Sequence, residues 1–108
     1  MTQDYETFME ENVFPIIALA GESKSLAYEA LRLAKENKFE ESDKKMQEAD
    51  KLLVESHQYQ TDLISKEANG ESFVINLLFI HAQDHLMTAI SEKNLIKEII
   101  DILKMNHK

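Results

Sequence analysis

The sequence predicts an all-α fold, an antiparallel three-helix bundle, on three observations. Two Gly and one Pro in 108 residues leave few places for turns, fewer than an all-β or α/β fold needs. Ala, Leu, Glu and Lys, all strong helix formers, are abundant. Apolar residues recur at spacings of three and four through most of the chain. The length fits one domain, residues 1–108, with a thin core that invites a partner chain to cover what remains exposed.

The first helix is expected over about 2–36, starting near Thr2. Phe8, Val13, Ile16, Ile17, Ala20, Ala27, Ala30, Leu31 and Ala34 supply its apolar spacing. Pro15 prefers a first helical turn, so a break is expected near 15, with Asp4 to Phe14 a distinct segment loosely joined to the main helix. Gly21 costs about 1 kcal/mol relative to Ala inside a helix and reads as a point of close packing against another helix. Asn37-Lys38 is the break before the next pattern and fits a short helical hairpin.

The second helix is expected over about 39–68. Phe39, Ser42, Met46, Ala49, Leu53, Ser56, Gln60 and Leu63 alternate by three and four and form a heptad seam. Ser56 and Gln60 are polar intrusions that either set register or face a polar site. Asn69-Gly70 closes the helix, Gly being favoured just past a helix end.

The third helix is expected over about 72–105, with Ser72 as N-cap, which makes it roughly 50 Å long. Its first two turns, within Phe73 to Ile80, are apolar nearly all round apart from Asn76. A helix apolar on every side is buried on every side, so this start is expected in an oligomer core. Leu86, Met87, Ile90, Leu95, Ile99, Ile102 and Leu103 read as an ordinary amphipathic stripe, with Glu92, Lys93, Lys97 and Glu98 as the solvated face.

Charge excludes several functions. Lys and Arg total 12 against 20 Asp and Glu, a net charge of −8, which argues against nucleic acid and against an anionic membrane surface. With no Cys there is neither a disulfide framework nor thiolate chemistry. The start, Met1-Thr-Gln-Asp-Tyr-Glu, is acidic where a secretion signal needs a basic end and an apolar run. No apolar run is long enough to span a membrane. A cytoplasmic protein without membrane insertion is the expectation.

The chemistry concentrates in His81-Ala-Gln-Asp-His-Leu-Met-Thr88, directly after the most apolar run. Positions i, i+3 and i+4 share a helix face, which makes neighbours of His81, Asp84 and His85, with Thr88 one turn on. Gln83, at i+2, points away from His81 within one helix, so a His81 that it meets belongs to another chain. Two readings fit this cluster. His81 and His85 have the spacing of a metal pair with Asp84 as a third ligand, which gives a helical adaptor or metal-binding bundle without enzymatic activity. Alternatively, a neutral imidazole attacks a phosphoryl group and later releases it, since the P–N bond is labile; His85 and Gln83 then serve as donors. Asp84 beside a phosphate would repel it and is better placed away, its charge offset by a cation. On a threefold axis three Asp84 carboxylates would demand a hard cation such as Mg²⁺. His57 reads as a polar surface or interface residue and His107 as part of a fraying tail.

The run Ile80-His-Ala-Gln-Asp-His-Leu-Met-Thr88 resembles the active-site signature of the lactose/cellobiose-type enzyme IIA of the bacterial sugar phosphotransferase system. Ala20-Gly21, Glu29-Ala30-Leu31 and Glu55-Ser56-His57 leading to Gln60-Thr61 match in the same order. The resemblance implies a homotrimer of three-helix subunits and a phosphotransferase with a phosphohistidine intermediate. His81 matches the phosphorylated residue, which takes its phosphoryl group from the histidine phosphocarrier protein and passes it to a cysteine of a IIB subunit or domain. Asp84 matches the carboxylate whose three copies hold a metal ion, expected to be one Mg²⁺ per trimer. Gln83 and His85 are site neighbours. Ala82 and Gln83 beside the His favour the cellobiose/chitobiose branch over lactose. The chain departs from the family at Lys24, where Arg is common, and at Pro15.

Overall fold

The computed structural model describes residues 4–107. Thr2, the expected start of the first helix, lies outside the described residues. Helix α1 spans Tyr5–Phe8, a π-helical turn follows over Met9–Val13, then come α2 (Phe14–Lys35), α3 (Phe39–Ala68) and α4 (Leu77–Asn106). The long helices run up, down and up, in a rod 63 × 22 × 20 Å. Their directions follow from the contacts: Ser56 meets Ile16 and Ser42 meets Ala30 across α2 and α3, whereas Gly21 meets His85 and Tyr28 meets Glu92 across α2 and α4.

Pro15 stands where the regular helix begins, α2 opening at Phe14. It has no N–H to give and its ring crowds the carbonyl four residues back. The chain widens one turn earlier, where the Phe14 N–H bonds Met9 O five residues back. Pro15 then falls at the start of α2, where the missing donor is tolerated. Met9 and Val13 are 2% and 1% exposed, so the N-terminal segment is docked rather than loosely joined. Phe8 stacks on Phe73 and Phe79, with ring centroids 5.2 and 6.3 Å away.

The inner face of α3 is Ser42, Met46, Ala49, Leu53, Ser56, Gln60 and Leu63, the seam read from the spacing. It lies against the small residues Ala20, Ala27, Ala30 and Ala34 of α2. Small side chains let the two backbones approach, and three buried serines bridge the gap. Ser23 Oγ donates to Ala49 O at 2.7 Å, Ser42 Oγ to Ala30 O at 2.7 Å and Ser56 Oγ to Ile16 O at 2.9 Å. Both helix ends close in Schellman turns. Asn37 (φ 64°) ends α2, with the Lys38 N–H on Leu33 O, and Gly70 (φ 99°) ends α3, with the Glu71 N–H on Lys66 O.

The third long helix starts five residues later than the sequence suggests. Ser72 does not cap it; Asn76 does, its Oδ1 accepting from the Phe79 N–H at 2.8 Å. Residues 71–76 lie outside the helices, as β-branched Val74 and Ile75 favour an extended backbone. Nor is this apolar start buried within one chain: Val74, Ile75, Leu77 and Ile80 are all more than half exposed. The core face of α4 is Ala82, Leu86, Ala89, Ile96 and Ile100, and the expected stripe is split, since Met87, Leu95, Ile99 and Ile102 face outward. α4 therefore carries two apolar faces, one of which this chain leaves uncovered.

Candidate functional site

The first turns of α4 are anchored by what lies on either side of the cluster. Ala82 and Leu86, 1% and 0% exposed, fasten the helix to the core, and that rotation turns His81 and Asp84 to the surface. His85, half-buried, lies between them and α2. The His81 and His85 rings stack, with centroids 5.6 Å apart and planes 17° from parallel. Thr88, one turn on, donates its hydroxyl back to His85 O at 3.1 Å.

His85 is held against α2 by an absent side chain. Gly21 faces its Nε2, and a Cβ at residue 21 would stand 3.3 Å from that atom. One turn along α2, Lys24 reaches across to Glu92, Nζ to Oε2 3.0 Å, and Tyr28 donates its hydroxyl to Glu92 Oε1 at 3.0 Å. Lys24 and Glu92 thus form an ion pair that ties α2 to α4. Burial first, then the Lys24 ammonium, then His81 push the His85 imidazole below the ordinary histidine value of 6.5. Lys24 and the Tyr28 hydroxyl hold the Glu92 carboxyl below its ordinary value, and Glu92 raises the phenol of Tyr28. An imidazole that resists protonation therefore lies beside His81, close to a paired ammonium.

Gln83 turns to the other side of α4. Gln60, buried on the α3 seam, donates Nε2–H to Gln83 Oε1 at 3.0 Å. The polar intrusion at Gln60 thus faces another candidate site residue. Ser56 instead ties α3 to α2.

His81, Gln83, Asp84 and His85 all lie on the first turns of α4, but not as one ligand set. Among the described residues no group of three or more His, Cys, Asp or Glu side chains is placed to hold a metal ion. A one-chain metal site from His81, Asp84 and His85 is therefore not formed: His85 is turned onto Gly21 while Asp84 stays at the surface. His57 stays exposed on α3, near Thr61, and His107 lies edge-on to Phe39 at 5.2 Å. Glu92 and Lys93 are not a plain solvated face. Glu92 is paired as above and Lys93 Nζ lies 3.1 Å from Asp50 Oδ1. The sequence reading missed the Lys24–Glu92–Tyr28 group. Its one trace is that residues 21, 24 and 28 share a face of α2, as residues 85 and 92 do on α4.

The arrangement can present one imidazole to an incoming group, with a second imidazole that resists protonation and an oriented amide on the same two turns. No described helix is long and apolar enough to cross a membrane. The family model described as "PTS system, Lactose/Cellobiose specific IIA subunit" matches residues 11–104. The chain is 46% identical over 94 residues to the lichenan-specific phosphotransferase enzyme IIA component of Bacillus subtilis, covering 87% of this chain and 86% of that one. It superposes on the cellobiose-specific enzyme IIA of Bacillus anthracis with a TM-score of 0.87 at 43% identity, over 97% of this chain and 93% of that one. It also resembles a chain in the solution structures of the IIA(Chitobiose)-HPr complex of Escherichia coli. There the TM-score is 0.76 at 32% identity, over 96% of this chain and 97% of the other.

Proposed function

The chain belongs to the lactose/cellobiose-specific IIA family of the sugar phosphotransferase system, whose members are phosphotransfer proteins, and on that premise we propose that His81 is its phosphoryl-carrying residue. A neutral ring nitrogen of His81 attacks the phosphorus of phosphorylated histidine phosphocarrier protein (HPr). The donor's P–N bond breaks as the bond to His81 forms. In the second step a IIB cysteine thiolate attacks, and the His81 P–N bond breaks as an S–P bond forms. Catalysis is then a matter of positioning and of donors for the phosphoryl oxygens. The observation that supports this most is the exposed His81 imidazole stacked on a second ring that resists protonation. A relative known in complex with HPr supports that partner.

The uncovered face of α4 supports a homotrimer. Ile80, Met87, Leu95 and Ile102 are each more than half exposed and run along the helix at heptad-like spacing, with Asp84 in the same row. Three chains packed on that face would bring three Asp84 carboxylates together, and a hard cation, Mg²⁺, would offset most of their charge. Each chain offers that ion one carboxylate, so Asp84 alone would hold it, in three copies. The same packing would set Gln83 beside the His81 of a neighbouring chain. A cytoplasmic location fits exchange with soluble partners. On the sugar, the relatives include lichenan-, galactose-, cellobiose- and lactose-specific components at 46%, 41%, 40% and 38% identity, and the cellobiose/chitobiose side rests on Ala82 and Gln83 beside His81.

The test is intact mass after incubation with phosphoenolpyruvate, enzyme I and HPr, with His81→Ala alongside. An acid-labile gain of one phosphoryl group in the parent alone is expected. A gain retained in His81→Ala would remove His81 from the role.

A further inference from the structure

We propose that Gln60 is a positioning residue that fixes the polarity of the Gln83 amide, so that Gln83 presents its NH₂ and not its carbonyl to the phosphoryl group on a neighbouring chain's His81; this rests on the phosphocarrier and trimer readings above. A primary amide has a donor end and an acceptor end of nearly equal shape. Which end faces a site decides whether that site attracts or repels an anion. Phosphoryl oxygens only accept, so Gln83 assists transfer only with its nitrogen turned out.

Two contacts set that orientation. The Gln60 Nε2 lies 3.0 Å from Gln83 Oε1 and 3.9 Å from Met87 Sδ. A thioether sulfur accepts weakly and cannot donate. Rotating the Gln60 amide would set its carbonyl against that sulfur, so the nitrogen stays on the α4 side. With a donor fixed there, Gln83 brings its oxygen inward and keeps both N–H groups for the outside. Gln60 is itself 7% exposed, on the buried seam of α3.

The surroundings strengthen the effect. The two glutamines line a cavity of about 260 Å³ between the end of α3 and the start of α4, walled largely by apolar side chains such as Leu63, Phe73 and Phe79. A hydrogen bond in such a wall is stronger than one in water. Glu67 is the one charged residue of that lining. Its charge opposes an anion, which makes a donor at Gln83 matter the more.

The experiment measures the rate of phosphoryl acceptance from HPr at pH 8 for the full-length parent, Gln60→Met, Gln60→Glu and Gln83→Leu, and for each residue 60 variant combined with Gln83→Leu. Gln60→Met removes the donor and is expected to slow acceptance about tenfold, the scale of one directed bond to a charged group. Gln60→Glu inverts the polarity, since a carboxylate only accepts and would draw the Gln83 NH₂ inward; it is expected to be slower still. Both losses should vanish in the Gln83→Leu background, because Gln60 acts only through Gln83. The Gln83 side-chain ¹⁵N–¹H resonances should shift in Gln60→Met. A Gln60→Met rate within about twofold of the parent, or the same loss with and without Gln83, overturns the proposal. If Gln60→Glu does not fold, the Gln60→Met cycle decides. A parent that accepts no phosphoryl group from active HPr overturns the phosphocarrier reading instead.

Discussion

Gly21 and His85 are fitted to each other: the Nε2 of His85 occupies the space beside residue 21 that a Cβ would crowd from 3.3 Å. Gly21→Ala therefore has two opposed effects. Ala gains about 1 kcal/mol of helix propensity, while the methyl presses on a ring that can tilt outward. Unfolding in urea should change by no more than about 1 kcal/mol, while the His85 ring resonances shift and phosphoryl acceptance slows. Unchanged His85 resonances would show that the glycine does not seat the ring.

The pH dependence follows from His85. Its folded-state pKa lies below the ordinary 6.5, through burial first and Lys24 second. Below 6.5 the unfolded chain takes up a proton that the folded chain still refuses. Stability should therefore fall as pH drops through 6.5, and stop falling on this account once the folded ring is also protonated. Lys24→Met removes the second cause and leaves the Glu92 carboxylate nearby without its ammonium partner, so the His85 pKa should rise. Histidine ring NMR titration reads this directly, and an unmoved His85 titration in Lys24→Met would remove Lys24 as a cause.

Leu86 is fully buried on the core face of α4, one residue from His85. Leu86→Ala should cost about 3 kcal/mol in chemical denaturation, within the usual range for such a cavity. Ser23→Ala, which removes a hydroxyl bonded to Ala49 O, should cost about 1 kcal/mol. A Ser23→Ala loss as large as that of Leu86→Ala would mean that the serine bridges hold α2 to α3 more than the apolar core does.

Asp84→Leu should keep or raise the stability of the proposed trimer, because it removes carboxylates that repel one another at its axis. Ile80→Lys on the same row should lower it. Sedimentation velocity separates the outcomes. A chelator should weaken the parent trimer and leave Asp84→Leu unaffected; an Asp84→Leu chain unable to associate would contradict the axial placement.

How much of this was legible in the sequence depended on range. The α3 seam from Ser42 to Leu63 could be read because its period is local and every member faces one helix. The Gly70 stop could be read because φ of 99° is a local demand. The start of α4 could not: Phe73 to Ile80 is apolar whether helical or extended, and only the Asn76 cap, a polar residue inside the run, marked the boundary. Pro15 signalled a disturbance, but not that a π turn before it would absorb the strain. In the site, the His81–His85 pairing lies within one helix and was visible from spacing. The Gly21–His85 fit and the Lys24–Glu92–Tyr28 group depend on the register between α2 and α4, which no stretch of either helix encodes alone.

The stacking of Phe8 on Phe73 and Phe79 has a bearing on the order of events during synthesis. Phe8 leaves the ribosome 65 residues ahead of Phe73 and 71 ahead of Phe79. Until then Met9 and Val13 have lost part of their cover, and the π turn stands ahead of helices that have yet to arrive. Nascent chains stalled before residue 73 should therefore be open to protease at the N-terminal turns and should close there once α4 emerges.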